Sequence, residues 1–116
     1  MALSLMVPGA VGNAFIDGDV YSGITVVGRD SYFFEFKDAN DDHVVVSVKF
    51  LQSFVKTGNV TPPTPQWGVG VTLTDYWSET TSFDVLNIDS AGSFFEVDLG
   101  GGDIRTWSYV SLYKIV

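Results

Sequence analysis

Residues 20–38 read VYSGITVVGRDSYFFEFKD, and residues 43–50 read HVVVSVKF. In both stretches β-branched and aromatic residues alternate with polar ones, which is the period of a β-strand. Clusters of Gly, Asp and Asn separate the hydrophobic runs and indicate turns. These stretches therefore predict three strands, at 20–27, 32–37 and 44–50, which form an antiparallel meander in an all-β protein.

The alternation within the second and third strands predicts which side chains face the core. The core-facing set of the second strand is Tyr32, Phe34 and Phe36, and its outward set is Phe33, Glu35 and Lys37. The core-facing set of the third strand is Val44, Val46, Val48 and Phe50. Gly23, inside the first strand, lets that strand bend or lets another strand approach closely. We therefore expect a strongly bent antiparallel sheet that forms a small barrel.

Outside this meander, the same alternation continues in the second half of the chain. Four further strands are expected near residues 69–77, 82–88, 93–99 and 104–116, which gives seven strands in all. Clusters of Ser, Thr, Asp and Gly lie between these strands and are typical of turns. The later strands therefore extend the barrel rather than form a helical region.

Two segments are not assigned to strands. Residues 57–68 contain Pro62, Pro63 and Pro65, which lack the backbone donors and the φ freedom that a sheet requires. This Pro-rich segment is expected to be an extended surface connection. Residues 2–15, at the start of the chain, are expected to hold a short helix.

The length and composition fit one compact domain. The chain has 116 residues, of which 46% are hydrophobic and 15% aromatic, and this is enough to bury a core. We therefore predict a single small-barrel domain with extra strands over residues 1–116. The two halves also echo each other, since each contains an aromatic-rich strand and a long final strand. The alternative is two tandem small barrels, at residues 18–56 and 69–116.

The charge and the absence of cysteine limit the possible functions. Fourteen acidic and six basic residues give a formal net charge of −8, which repels phosphate backbones. Without cysteine, disulfides, thiolate metal sites and cysteine nucleophiles are excluded. No stretch approaches the roughly 20 apolar residues of a spanning helix, and residues 1–11 lack the basic start of a signal peptide. We expect a cytoplasmic protein without a membrane partner.

Few residues are suited to catalysis or metal binding. His43 is the only histidine, and the turn at 38–42 is not followed by the Gly and Glu of an EF-hand calcium loop. We therefore predict that the protein is not an enzyme and uses no metal and no cofactor. Trp67, Trp77 and Trp107 could stack on sugar rings, although core packing also explains them. Trp67, beside the prolines, is expected to be partly exposed.

Two stretches of the chain resemble the signatures of Sm and Sm-like (LSm) RNA-binding proteins. The first signature has a bent strand with an internal Gly, an Asp at the turn and a hydrophobic strand that ends in Asp. Gly23, Asp30 and Asp38 take these places, with one residue more between the first two. Residues 104–112, IRTWSYVSL, resemble the second signature, an Arg-Gly pair followed by spaced hydrophobic residues. The residues in register are Arg105, Tyr109 and Leu112, and Thr106 replaces the Gly.

In that family, loops after the turn Asp and at the Arg-Gly pair line the pore of a ring of identical subunits and hold a base. The resemblance implies a homo-oligomeric ring that binds single-stranded RNA or DNA at its pore. The implied binding residues are Arg29, Asp30, Tyr32, Phe33, Phe34, Arg105 and Thr106. Phe34 stands in or next to the place of the family's base-reading Asn, which implies stacking without base choice.

Three functions follow as expectations. The leading one is a non-enzymatic Sm-like ring protein that binds single-stranded RNA or DNA, with a role in nucleic-acid processing. The style of the sequence also resembles Sm-like proteins of marine phages such as cyanophages, which implies the cytoplasm of a host cell. The first alternative is a structural or virion-associated phage protein that serves assembly without nucleic acid. The second is a carbohydrate-binding β-sandwich, suggested by the three Trp.

Overall fold

The computed structural model describes residues 6–29, 32–77, 82–89, 94–108 and 112–116. In this part of the chain there are ten β-strands and one turn of 3₁₀ helix at Val48–Phe50. The strands are β1 (Ala10–Ile16), β2 (Asp19–Arg29), β3 (Phe33–Lys37), β4 (His43–Ser47), β5 (Leu51–Asn59), β6 (Thr72–Asp75), β7 (Ser82–Asp89), β8 (Phe94–Asp98), β9 (Ile104–Ser108) and β10 (Tyr113–Ile115). No helix among the described residues is long and apolar enough to cross a membrane.

All ten strands belong to one antiparallel sheet, which confirms the all-β prediction. Along the sheet the order is β5-β1-β2-β3-β4-β10-β6-β7-β8-β9. Among the described strands the sheet is not closed, and β5 and β9 are its two ends. The molecule is correspondingly elongated, with extents of 44 × 27 × 25 Å.

The sheet contains one five-strand arrangement twice. In the first unit, residues 10–59, the fifth strand returns to pair with the first and gives the order β5-β1-β2-β3-β4. In the second unit, residues 72–115, β10 returns to β6 and gives the order β10-β6-β7-β8-β9. The units are joined where β4 pairs with β10. The fourth strand of one unit therefore meets the fifth strand of the other at this junction.

The strand registers of the two units agree residue by residue. Phe33 pairs with Ser47 in the first unit, and Phe94 pairs with Ser108 in the second. From 33 to 94 and from 47 to 108 the shift is the same, 61 positions, and it holds for all five pairs of this hairpin. The repeat is therefore a feature of the backbone pairing and extends beyond the strand order.

Both units also carry a β-bulge at the same place. The extra residue is Val27 in β2 and Leu86 in β7. In each unit the residue that follows the bulge pairs with a glutamate, Glu35 or Glu96. Because a bulge bends its strand and increases the local twist, both units bend at equivalent positions.

Two hydrophobic clusters hold the sheet together, and β3 contributes to both. Phe34 and Phe36 belong to a cluster made mostly of first-unit residues, to which the second unit contributes Leu112. The second cluster combines residues of both units, which are Phe33, Val45, Leu73, Phe83, Val85, Phe95, Val97 and Tyr113. The second unit thus covers the face of β3 that the alternation predicts to be outward.

This covering corrects part of the predicted core. Phe33 is 3% exposed and Glu35 is 5% exposed, although both are expected to face solvent. Tyr32, expected in the core, is 42% exposed. Phe34 and Phe36 are buried as predicted. The alternation identifies the two faces of the strand correctly, but it carries no information about a second layer on the outer face.

Three predicted elements also differ from the structure. Residues 10–15 lie in β1, so the predicted helix is wrong there, and residues 1–5 lie outside the described part. The third predicted strand ends at Ser47, where its serine Oγ accepts a hydrogen bond from the N–H of Lys49 and begins the 3₁₀ turn. The Pro-rich connection starts after Asn59, because β5 continues through residues 57–59. The last predicted strand is divided into β9 and β10, so seven strands is too low.

Gly12 lets β1 pack closely on β5, and Gly23 gives β2 a backbone conformation that favours glycine. A Cβ on Gly12 would lie 2.2 Å from the carbonyl oxygen of Val55, so only glycine fits between β1 and β5 there. Gly23 has a φ of +64°, and its N–H donates to Oδ1 of Asn13 at 3.1 Å. The register of β1 and β2 shifts beside this contact. The irregularity that the sequence predicts at Gly23 is therefore present.

Candidate functional site

The predicted binding residues of the first unit differ in exposure. Arg29, at the end of β2, and Tyr32 are exposed. Phe33 and Phe34 are buried, at 3% and 0% exposure, so a base cannot stack on either ring in this conformation. Asp30 lies outside the described residues.

The other two predicted residues belong to the second unit. Arg105 and Thr106 are exposed on β9, the end strand of the sheet. Arg105 Nε donates to Oδ1 of Asp103 at 2.9 Å, and this hydrogen bond raises the pKa of the guanidinium. Five strands separate β9 from β3 in the sheet order. Within one chain, Arg105 and Tyr32 are therefore on different units.

Arg29 lies beside a groove between β2 and the Pro-rich connection. One part of this groove has a volume of about 260 Å³ and is lined by Arg29, Phe33, Glu35 and Trp67 among others. An adjoining part of about 540 Å³ shares Arg29 and extends toward Pro8. Trp67 is half-buried, which confirms the expected partial exposure of this residue. Arg29 and Phe33 thus line the same groove, and Phe34 lies opposite Arg29 in the β2–β3 pair.

Glu35 holds the Pro-rich connection against β3. Its carboxylate accepts backbone hydrogen bonds from Gln66, at 3.0 and 3.2 Å, and from Trp67, at 3.1 Å. Its Oε2 also lies 2.6 Å from Nδ1 of His43 on the neighbouring strand. This cluster satisfies a buried carboxylate and fixes Trp67 over Phe33, with ring centroids 5.0 Å apart. The only histidine of the chain therefore has a structural position.

Asp38 connects the first unit to the second. Its Oδ1 accepts the N–H groups of Asn40 and Asp42 in the β3–β4 turn, at 2.9 and 3.0 Å. Its Oδ2 accepts the hydroxyl of Tyr76, just after β6, at 3.0 Å. Burial and this hydrogen bond raise the pKa of Tyr76 to about 12, with further contributions from the charges of Asp38 and Tyr21. The carboxylate thus orders a turn and links two units.

An aromatic groove lies beside this contact. Its volume is about 250 Å³, and its aromatic lining is Tyr21, Tyr76 and Trp77. Trp77 is 63% exposed, and its ring centroid lies 5.0 Å from that of Tyr76 and 6.1 Å from that of Tyr21. Burial, and the charges of Asp19 and Asp17, raise the pKa of Tyr21. The groove is thus aromatic and acidic.

The open edges of the sheet are a second candidate surface. Val55 on β5 is 61% exposed, and Ile104 on β9 is 56% exposed. In the described part of the chain, β5 pairs only with β1 and β9 only with β8. An edge strand with exposed apolar side chains favours pairing with another strand.

The geometry defines a class of protein, a repeated all-β chain with one exposed strand at each end of its sheet. No protein-family model, no curated protein and no solved structure matches this chain. Among the described residues, no group of three His, Asp or Glu side chains is placed to hold a metal ion.

Glu35, Asp38 and Tyr76 link parts of the fold, and no local pattern in the sequence indicates these links. No strand is predicted at β5, because LQSFVKTGN lacks a clear apolar alternation. One signal of the repeat was available, since Phe-Phe-Glu occurs at residues 33–35 and again at 94–96. These tripeptides begin the equivalent strands β3 and β8.

Proposed function

We propose that this protein is a non-enzymatic assembly protein that joins subunits through the edges of its sheet. The observation that carries this proposal is the junction inside the chain, where the fourth strand of one unit pairs with the fifth strand of the other. The ends of the sheet are again a fifth strand, β5, and a fourth strand, β9. This is the structural alternative among the three functions that the sequence leaves open.

We also propose that each unit is a small barrel of the Sm or SH3 kind, so that the chain is a tandem pair. Three features support this assignment. Each unit is an antiparallel five-stranded meander, each has a bulge in its second strand, and each returns its fifth strand to its first. A bent meander whose last strand returns to the first is the path by which a small sheet closes. The bounds of this pair are residues 10–59 and 72–115.

Sedimentation velocity tests the assembly function. The chain mass is 12.6 kDa, and we expect the sedimenting mass to rise above this value with protein concentration. Because each chain carries a formal charge of −8, added salt should screen repulsion between chains and promote association. A mass that stays at one chain across concentration and salt contradicts this function.

Single-stranded nucleic-acid binding is a second candidate. The observation that favours it is the exposure of Arg29, which lines the groove at the end of β2, and of Tyr32, which directly precedes β3. Fluorescent oligonucleotides should then bind at low salt, release as salt rises, and bind less to Arg29→Ala and Arg105→Ala. Lys49→Ala, which removes an exposed cation from the 3₁₀ turn, is the matched control. Salt has opposite effects on this function and on assembly, so one titration separates them.

Carbohydrate binding is supported only by the aromatic groove at Trp77. An exposed indole beside two tyrosines offers a flat apolar surface to a sugar ring. Oligosaccharides should then change the tryptophan fluorescence of the wild-type chain and leave that of Trp77→Ala unchanged. Absence of any change in the wild-type chain removes this candidate.

A further inference from the structure

Both units form the walls of the aromatic groove at Trp77. Residues 20–22 of β2 and residues 38–40 of the β3–β4 turn line it from the first unit. Tyr76 and Trp77, which follow β6, line it from the second unit. Its volume of about 250 Å³ is below the roughly 300–1,000 Å³ of pockets that hold drug-sized ligands. The groove therefore suits one small chemical group.

The three aromatic rings of this groove meet at steep angles. The planes of Trp77 and Tyr76 are 86° apart, and those of Tyr21 and Tyr76 are 70° apart. In such an edge-to-face pair, one ring offers only its edge to the other, so that partner does not cover its faces. The face of an aromatic ring is negative and attracts a cation within about 6 Å of its centroid, most strongly for Trp. The exposed indole of Trp77 is therefore suited to contact a cation.

The turn between β1 and β2 adds negative charge beside the rings. Asp17 and Gly18 have φ values of +49° and +87°, which form a tight two-residue hairpin turn between Ile16 and Asp19. Asp17 and Asp19 are exposed at this turn. Burial, and then the charges of Asp19 and Asp17, raise the pKa of Tyr21. The two carboxylates are thus close enough to act on a ring of the groove.

A third carboxylate, that of Asp38, is part of the groove lining. Among the described residues, no Lys or Arg forms an ion pair with Asp38 or with the two aspartates of the β1–β2 turn. Lys114 Nζ lies 5.7 Å from the ring centroid of Tyr76, and Asp42 Oδ2 balances its charge at 3.4 Å. The aromatic cluster therefore already contacts one cation, and the charge of the groove favours another.

The charge distinguishes an organic cation from a sugar as the occupant of the groove. Asp38 Oδ1 accepts two backbone N–H groups and Oδ2 accepts the hydroxyl of Tyr76, so this carboxylate already has hydrogen-bond partners. Its negative charge attracts a cation, whereas a neutral sugar gains nothing from it. A primary ammonium group is strongly hydrated, and methyl groups on the nitrogen reduce the cost of removing its water. A methylated ammonium group therefore fits the groove best.

We propose that this groove binds the trimethylammonium group of an organic cation, which rests against Trp77 and is attracted by the charges of Asp19 and Asp38. Free choline carries this group, and so does a trimethylated lysine side chain of another protein. The site is on a different part of the molecule from the ends of the sheet, and it goes beyond the proposed assembly function. Because both units line the groove, a bound cation should also stabilise their arrangement.

A titration with choline and its neutral analogue tests the role of charge. In 3,3-dimethylbutanol a carbon replaces the nitrogen of choline, so the shape is kept and the charge is removed. Choline should shift the indole N–H resonance of Trp77, which is assigned by its loss in Trp77→Ala, and the alcohol should bind at least about tenfold more weakly. Equal binding of the two compounds, or no shift with choline, overturns the proposal. A shift with oligosaccharides alone also overturns it and assigns the groove to carbohydrate.

Substitutions locate the site. Trp77→Ala should weaken choline binding at least about fivefold by calorimetry, and the chain should stay folded because this ring is exposed. Asp19→Asn keeps the shape of the side chain and should weaken binding about two- to fivefold. Asp103→Asn is the matched control, because Asp103 is an exposed aspartate that pairs with Arg105 at the end strand β9. Equal effects of Asp19→Asn and Asp103→Asn contradict a local site.

Two peptides of one sequence, with lysine or trimethyl-lysine at the same position, distinguish the sources of the group. Binding of the trimethylated peptide at least about tenfold tighter than choline supports a modified protein as the partner, because contacts outside the groove then contribute. Equal affinities for choline and the trimethylated peptide support a free small cation. Equal binding of the lysine and trimethyl-lysine peptides overturns recognition of the trimethylammonium group.

Discussion

Asp38 shows how much one residue contributes to the connection between the units. Its two carboxylate oxygens serve different purposes, since Oδ1 closes the β3–β4 turn and Oδ2 accepts the hydroxyl of Tyr76 from the other unit. Asp41, in the same turn, is exposed and pairs only at the surface with Lys37, at 3.1 Å. The two aspartates therefore form a matched pair for a charge-removing substitution.

Asp38→Asn should lower the pKa of Tyr76 from about 12 toward its ordinary value, because the hydrogen bond and the charge that favour the neutral phenol are both weakened. Burial remains, so the decrease should be partial. Asp41→Asn should leave the titration of Tyr76 unchanged, and asparagine tolerates the positive φ of that position. Tyrosinate absorbance against pH measures both variants, and equal curves would contradict the assigned contact.

The tyrosines also predict the alkaline limit of stability. Burial raises the pKa of Tyr113 to about 12, with a further contribution from the charge of Asp75, and Tyr76 has a similar value. An unfolded tyrosine ionises near pH 10, so these groups favour the folded state below about pH 10. This contribution should be lost as the pH rises from about 10 to about 12. Denaturant unfolding at pH 9 and at pH 11 measures the difference.

At the scale of the element, the β1–β5 pair depends on a close backbone approach. Gly12 faces the carbonyl oxygen of Val55, where a Cβ would lie 2.2 Å away, whereas Gly58 in the same ladder has open space around it. β5 buries only Leu51 and Phe54, and most of its other residues are exposed. This explains why the alternation of the sequence did not reveal it.

Gly12→Ala should therefore reduce the free energy of unfolding by more than about 2 kcal/mol, because the new methyl group forces β1 and β5 apart. Gly58→Ala should change stability by less than about 1 kcal/mol, and alanine can even stabilise the strand by restricting the unfolded chain. Urea denaturation compares the two variants. Similar decreases in the free energy of unfolding of both variants would contradict a destabilising contact between the new methyl group and β5 at position 12.

At the scale of the whole molecule, the two units share one set of buried contacts. Phe33 and Val45 of the first unit lie in the same cluster as Leu73 and Tyr113 of the second. Neither unit can lose its structure without exposing apolar surface of the other. We therefore expect a single cooperative unfolding transition for the whole chain.

Phe33→Ala should lower the free energy of unfolding by about 3–5 kcal/mol while the transition remains single, because the cavity opens between the units. Phe94→Ala, at the equivalent position of the second unit, should cost far less because that ring is 36% exposed. Calorimetry at low protein concentration, where association is weakest, measures both. Two resolved transitions in either variant would show that the units fold independently.

Alternation and turn residues are local properties of the chain, and they are enough to predict the strand class, the positions of β2, β3, β7 and β8, and the irregularity at Gly23. The tertiary structure decided the pairing of β4 with β10, the burial of both faces of β3, and the choice of strands at the ends of the sheet. These features depend on contacts between residues far apart in the sequence, and no local period encodes them. The predicted binding residues show the same contrast. Arg29 and Tyr32 are close in sequence and lie in the same unit, whereas the position of Arg105 in the other unit depends on the tertiary structure.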